Sequence, residues 1–141
     1  MSNRTFYNEV LTDHNIHPEN KFKIKDFTFE KEGVNPSCGD DIVLQIKYED
    51  GVIVDAAFVG EGCAISQASA DIMTSLVKGK TKEEALRLSD IFLRMIKGEA
   101  SEDEIAELEE GSALEDISHM PARVKCAVLG WRTLNEILKD A

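Results

Sequence analysis

Basic residues, long apolar runs and cysteine are all scarce in this chain. Lys and Arg number 16 against 27 Asp and Glu, a formal charge of −11, which argues against nucleic acid or an anionic membrane as the main partner and favours a basic protein surface. No apolar run approaches the ~20 residues that span a bilayer. The opening Met1-Ser2-Asn3-Arg4-Thr5-Phe6-Tyr7 also lacks the apolar core of a secretion signal, so a cytoplasmic protein without a membrane partner is expected. The 3 cysteines are an odd number. In a reducing compartment that disfavours a disulfide framework and leaves buried thiols, metal ligands or a reactive thiol. Internal repeats, linkers and low-complexity tracts are lacking too.

With 141 residues, 43% of them hydrophobic, the chain has the length of one domain, residues 1–141, with a core that needs no disulfide support. Phe6, Val10 and Leu11 at helical spacing predict a helix from Thr5 to about Asp13, with Phe6 and Val10 facing the core. His14 and His17 beside Pro18 are expected to cap or face solvent. Phe22, Ile24, Phe27 and Phe29 suggest a first strand from Phe22 to about Glu30, with a bulge where the alternation breaks. Ile42, Leu44, Ile46 and Tyr48 then alternate with Val43, Gln45 and Lys47, and Glu49-Asp50-Gly51 turns into Val52, Val54, Ala56 and Phe58. Helices follow from Cys63 through Val77, after the Thr81 cap, and after the Ser101 cap. A last one runs from about Val124, with Val128, Trp131, Asn135 and Leu138 on one face. The stretch from Glu99 to Asp116 holds no basic residue and reads as a solvated surface, with partner docking as the alternative. The order predicts an α+β fold: an N-terminal helix, a three-stranded antiparallel sheet, then several helices packed on it.

The chemistry collects around Asn35-Pro36-Ser37-Cys38-Gly39-Asp40, where Pro36 and Gly39 shape a turn that holds a thiol and a carboxylate two residues apart. Cys63 and Cys126 each fall near an expected helix start, where free backbone N–H groups stabilise thiolate. Three thiolates with Asp40 would form a Cys₃Asp tetrahedron for zinc, or ligate an iron–sulfur cluster. Spacing alone leaves both open, along with three unrelated buried cysteines.

The stretches Asn35 to Asp40, Gly62-Cys63-Ala64-Ile65-Ser66 with Ala68-Ser69-Ala70, and Arg123-Val124-Lys125-Cys126 together resemble the iron–sulfur cluster assembly family of IscU and the NifU N-terminal domain. Tyr7, Asp13-His14 and Pro18-Glu19-Asn20 are similar to that family's first helix and following turn. The resemblance implies an IscU/SufU-like fold and metal ligands at Cys38, Asp40, Cys63 and Cys126. Scaffolds of the IscU type carry a histidine before the third cysteine within a Leu-Pro-Pro-Val-Lys segment that a chaperone recognises. This chain has Lys125 there and a longer stretch between Cys63 and Cys126, which resembles the SufU branch instead. That branch implies Zn²⁺, a pyridoxal-phosphate-dependent cysteine desulfurase of the SufS type as sulfur donor, and a downstream iron–sulfur assembly complex as recipient. Cys38, on its Pro/Gly loop, is the expected persulfide acceptor, with Arg123 and Lys125 supporting the charge. Two alternatives are a scaffold that builds a [2Fe–2S] cluster on the same ligands and a zinc-stabilised interaction module without sulfur chemistry.

Overall fold

Alternating aliphatic residues at 42, 44 and 46 make the centre of a sheet, because in an extended chain every second side chain faces the same side. In the computed structural model, which describes residues 3–141 and side chains from Glu9 onward, Ile42, Leu44 and Ile46 are fully buried on β2, Asp40–Glu49. This strand lies between β1, Phe29–Asn35, and β3, Val52–Glu61, both antiparallel to it. Asp50 and Gly51 turn β2 into β3 with positive φ at both positions (52° and 80°), the conformation a tight hairpin requires.

The first strand starts later than the Phe22 to Glu30 expectation. Residues 17–28 form an irregular segment in which Phe22 and Phe27 are each 41% exposed, while Ile24 is buried and its N–H donates to Gln45 Oε1 at 2.7 Å. β1 is instead the edge strand, paired on one side only, so its sequence Phe-Glu-Lys-Glu-Gly-Val-Asn carries little alternation. The expected bulge lies elsewhere as well, in the β2–β3 pairing between Lys47 and Tyr48.

Helices α1 (Asn3–Ile16), α2 (Ala64–Val77), α3 (Lys82–Ile96), α4 (Glu102–Glu107) and α5 (Pro121–Lys139), with a 3₁₀ segment over Glu109–His119, complete the chain. Together with the sheet they form the α+β architecture expected from the order of elements. The Phe6 side chain lies outside the described residues; Val10 packs against the core and Leu11 is buried in it. Small residues on α2 let α5 approach closely, and a Cβ on Gly130 would sit 3.6 Å from Ala70. Trp131 of α5 stacks on Phe92 of α3 with centroids 4.2 Å apart and donates from Nε1 to Ser69 Oγ at 3.0 Å, which satisfies the buried indole. Among the described residues no helix is long and apolar enough to cross a membrane.

The acidic stretch is more than a solvated face. Leu108 and Leu114 enter the core, Glu104 binds the Arg94 guanidinium, and Glu107 pairs with Arg87. His14, expected at the surface, is buried at the end of α1. Its Nδ1 lies 2.6 Å from Asp71 Oδ2 and its Nε2 lies 3.0 Å from Glu110 Oε1, while His17 is exposed. Carboxylates only accept, so both ring nitrogens must donate and the ring is an imidazolium. Burial opposes that charge, but the hydrogen bonds and charges of Asp71 and Glu110 outweigh it and raise the pKa above its ordinary 6.5. A raised folded-state pKa contributes stability that is complete below the unfolded value and is lost as pH rises through the folded one. His14→Gln should therefore cost about 1.5–3 kcal/mol in denaturant titrations below pH ~6.5. The gap to the parent chain should shrink at alkaline pH; a gap independent of pH would contradict the imidazolium assignment.

Candidate metal centre

Two connections and one helix build the site. The β1–β2 turn starts at Pro36 and is closed by Cys38 N–H donating to Asn35 O at 3.3 Å, with Gly39 at φ 70° where an L side chain would be strained. This places Cys38, half-buried, at the tip and Asp40, fully buried, as the first residue of β2. At the far end of β3, Cys63 is the N-cap of α2, with extended backbone and a sulfur that accepts from Ser66 N–H at 3.5 Å. Cys126 comes from α5.

The structure brings Cys38, Asp40 and Cys126 together, with one donor atom from each lying within 4.8 Å of the others. The Cys126 thiol approaches Cys38 Sγ to 3.0 Å. Donor atoms about 2.0–2.3 Å from a common zinc ion are at most roughly 4.6 Å apart, so the three are gathered on the scale that a shared ion demands. Cys63 stands at the rim of this group. Its thiol is not among the gathered donors; the residue is tied in through its backbone N–H, which donates to Asp40 Oδ1 at 2.8 Å. Arg123 and Lys125 are exposed on the first turns of α5 and are not among the gathered donors.

One expectation is corrected by the start of α5. The helix begins at Pro121, not Val124, so Cys126 lies inside its second turn, away from free N–H groups at the end. Burial, followed by hydrogen bonding with Cys38, Cys63 and Asp40, pushes its thiol pKa well up. For Asp40, burial also opposes the charge, but hydrogen bonds from Cys63 N–H, Cys126, Ser66 and Asn35 prevail and hold its carboxyl below the usual value. A buried carboxylate thus faces a thiol that resists ionising unless positive charge is supplied. The donor set fits a thiophilic divalent cation, which deprotonates the thiols it binds.

Three supporting residues lie within the motifs but do not stand out as functional on sequence grounds. Asn35 Nδ2 donates to Asp40 Oδ2 at 3.2 Å and to Cys126 Sγ at 3.7 Å, and Ser66 Oγ donates to Asp40 Oδ1 at 3.0 Å. Gly62 has no side chain because a Cβ there would lie 2.5 Å from both Asp40 Oδ1 and Ser66 Oγ. Their common signal is adjacency to the ligand-type residues.

Residues 6–127 match the family model of the NifU-like N-terminal domain. The zinc-dependent sulfurtransferase SufU of Bacillus subtilis (strain 168) is 43% identical over 132 residues, covering 94% of this chain and 88% of that protein. The iron–sulfur cluster assembly scaffold protein IscU of Thermotoga maritima is 41% identical over 136 residues, 96% and 94% of the two chains. The crystal structure of the SUF-system iron–sulfur cluster assembly scaffold protein SufU from the thermophile Fervidobacterium islandicum AW-1 superposes with a TM-score of 0.85 at 36% identity, covering 97% of this chain and 99% of that one.

Proposed function

The chain belongs to the family of the NifU-like N-terminal domain, and from that premise we propose that it serves iron–sulfur cluster assembly as a zinc-holding sulfur carrier. In this reading it acts in the cytoplasm as one domain. Its donor is a pyridoxal-phosphate-dependent cysteine desulfurase of the SufS type, and its recipient is a downstream iron–sulfur assembly complex. The observation that carries the proposal is the unequal placement of two thiols 3.0 Å apart, Cys38 half-buried at the tip of a turn and Cys126 fully buried in a helix.

Cys38, Asp40, Cys63 and Cys126 are the residues that would hold the metal, and Arg123 and Lys125 would lend positive charge to an incoming persulfide. Zinc, when bound, supplies charge that keeps thiols deprotonated, and it has no redox chemistry of its own. The Cys38 thiolate attacks the outer sulfur of the donor's persulfide. A new S–S bond forms on Cys38, the donor's S–S bond breaks, and its electron pair leaves on the donor cysteine as thiolate, so no oxidant or reductant is consumed. Cys38 is suited to this because a turn can move without shifting a helix, whereas Cys126 is fixed within α5. Asp40, held ionised by its donors, keeps the inner end of the site acceptor-rich.

The likeness to IscU makes scaffold assembly of a [2Fe–2S] cluster the competing reading. Metal analysis after anaerobic purification separates them. A colourless protein with close to one zinc per chain is expected, and a brown protein with stoichiometric iron and sulfide would overturn the zinc-carrier reading.

A further inference from the structure

The net charge of −11 hides a local reversal. Two grooves of about 310 and 300 Å³ run along the outer face of α5 and share Val124, Val128 and Arg132, so they form one trough. Its far part is floored by Leu93 and Ile96 of α3 and rimmed by Lys97 and Lys139. Its near part passes Lys125 and reaches Val34, 53% exposed, and Asn35. Asn35 donates to Asp40 and Cys126, so the trough ends at the candidate metal centre.

Among the described residues no ion pair engages Lys97, Lys125, Arg132 or Lys139, whereas Arg87 and Arg94 each hold two carboxylates. The one acidic lining residue, Glu136, lies 3.5 Å from Lys31. Four cations left uncompensated on an acidic protein, above an aliphatic floor, describe the complement of their ligand. It must bring carboxylates and an apolar anchor together.

We propose that this trough docks an acidic, apolar-anchored peptide segment of the sulfur donor and so delivers its persulfide to Cys38; the donor's identity rests on the sulfur-carrier reading above. A peptide supplies both features, since alternate side chains can reach the floor and the cations. Whole-chain charge favours a basic partner, but docking is decided by the local field at the patch.

The test uses the full zinc-loaded chain, fluorescently labelled and titrated with the cysteine desulfurase of the same organism, at low and high salt. Lys97→Glu with Arg132→Glu should raise the Kd by about tenfold or more and flatten its salt dependence. Zinc content and melting temperature should stay at their parent values. The control Lys21→Glu with Lys23→Glu, on the exposed segment after α1, should keep the parent Kd. If the double variant fails to fold, Lys139→Glu alone, exposed on the last turn of α5, reads the same contact with a smaller shift. A Kd unchanged in the trough variants, or raised equally in the control, overturns the proposal. So does failure of the parent chain to bind the desulfurase. Loss of a chain–chain dimer in place of desulfurase binding would make a second copy the occupant and overturn it too. The sulfur-carrier reading fails separately if the parent chain binds tightly yet Cys38 gains no sulfur.

Discussion

Cys38→Ala is expected to lower sulfur acceptance from the desulfurase by about a hundredfold or more, because exchange at a persulfide requires a thiolate that can reach the outer sulfur. The loss should come with little change in fold. Cys38 sits half-exposed at a turn tip, and beyond Cys126 its sulfur makes a 4.0 Å approach to Ala122 O. Cys126→Ala should behave differently, since its side chain is fully buried in α5 and truncation leaves a void in addition to removing a donor. Titration of desulfurase stimulation alongside thermal melts checks both expectations. A Cys38→Ala chain that still accepts sulfur would place the chemistry on another thiol.

The second large effect belongs to Asp40. Its carboxylate accepts from Cys63 N–H, Ser66 Oγ and Asn35 Nδ2; Ser66 and Asn35 keep second acceptors in Cys63 O and Cys126 Sγ, so Asp40→Ala strands the Cys63 N–H and loosens the other two as well as removing a metal ligand. Each orphaned buried donor costs about 1–3 kcal/mol. A loss of roughly 1–3 kcal/mol in stability is therefore expected, with zinc retained far below one per chain. Because the folded-state pKa of Asp40 lies below its ordinary value of 3.8, its contribution is present above that pH and is lost as pH falls through the folded pKa. The stability gap between Asp40→Ala and the parent should hold through neutral pH and close only in acid. Equal stability at neutral pH would mean that the carboxylate does not organise the turn, β2 and the start of α2.

Much of this was legible where local chemistry and tertiary packing agree. The Asn35 to Asp40 turn carries its own φ preferences in Pro36 and Gly39, Asp50-Gly51 forms a hairpin with positive φ, and Ser101 with Glu104 forms a full capping box. β1 failed for the opposite reason. Phe22 and Phe27 are stronger strand formers than Glu30-Lys31-Glu32, but pairing outwards from the turn at Asn35↔Asp40 recruits the weaker residues. Gly33 within that strand abuts Thr133 of α5, a close approach that no sequence window spans. The depth of Cys126 was hidden because Pro121 is favoured at a first helical position, which moved the helix start one turn earlier than the apolar stripe implied. His14 and the basic trough depend on partners far apart in sequence. Asp71 and Glu110 stand 57 and 96 residues from His14, and a whole-chain charge averages away four cations gathered from α5 and the end of α3.

The central claim is that sulfur arrives on Cys38, and the most direct measurement is peptide mass spectrometry of the zinc-loaded chain. It is incubated with the desulfurase and limiting cysteine, alkylated and digested. The account predicts one added sulfur on the peptide containing Cys38, with Cys63 and Cys126 unmodified. Added sulfur on Cys63 or Cys126 with Cys38 bare, or on none of the three, would contradict it.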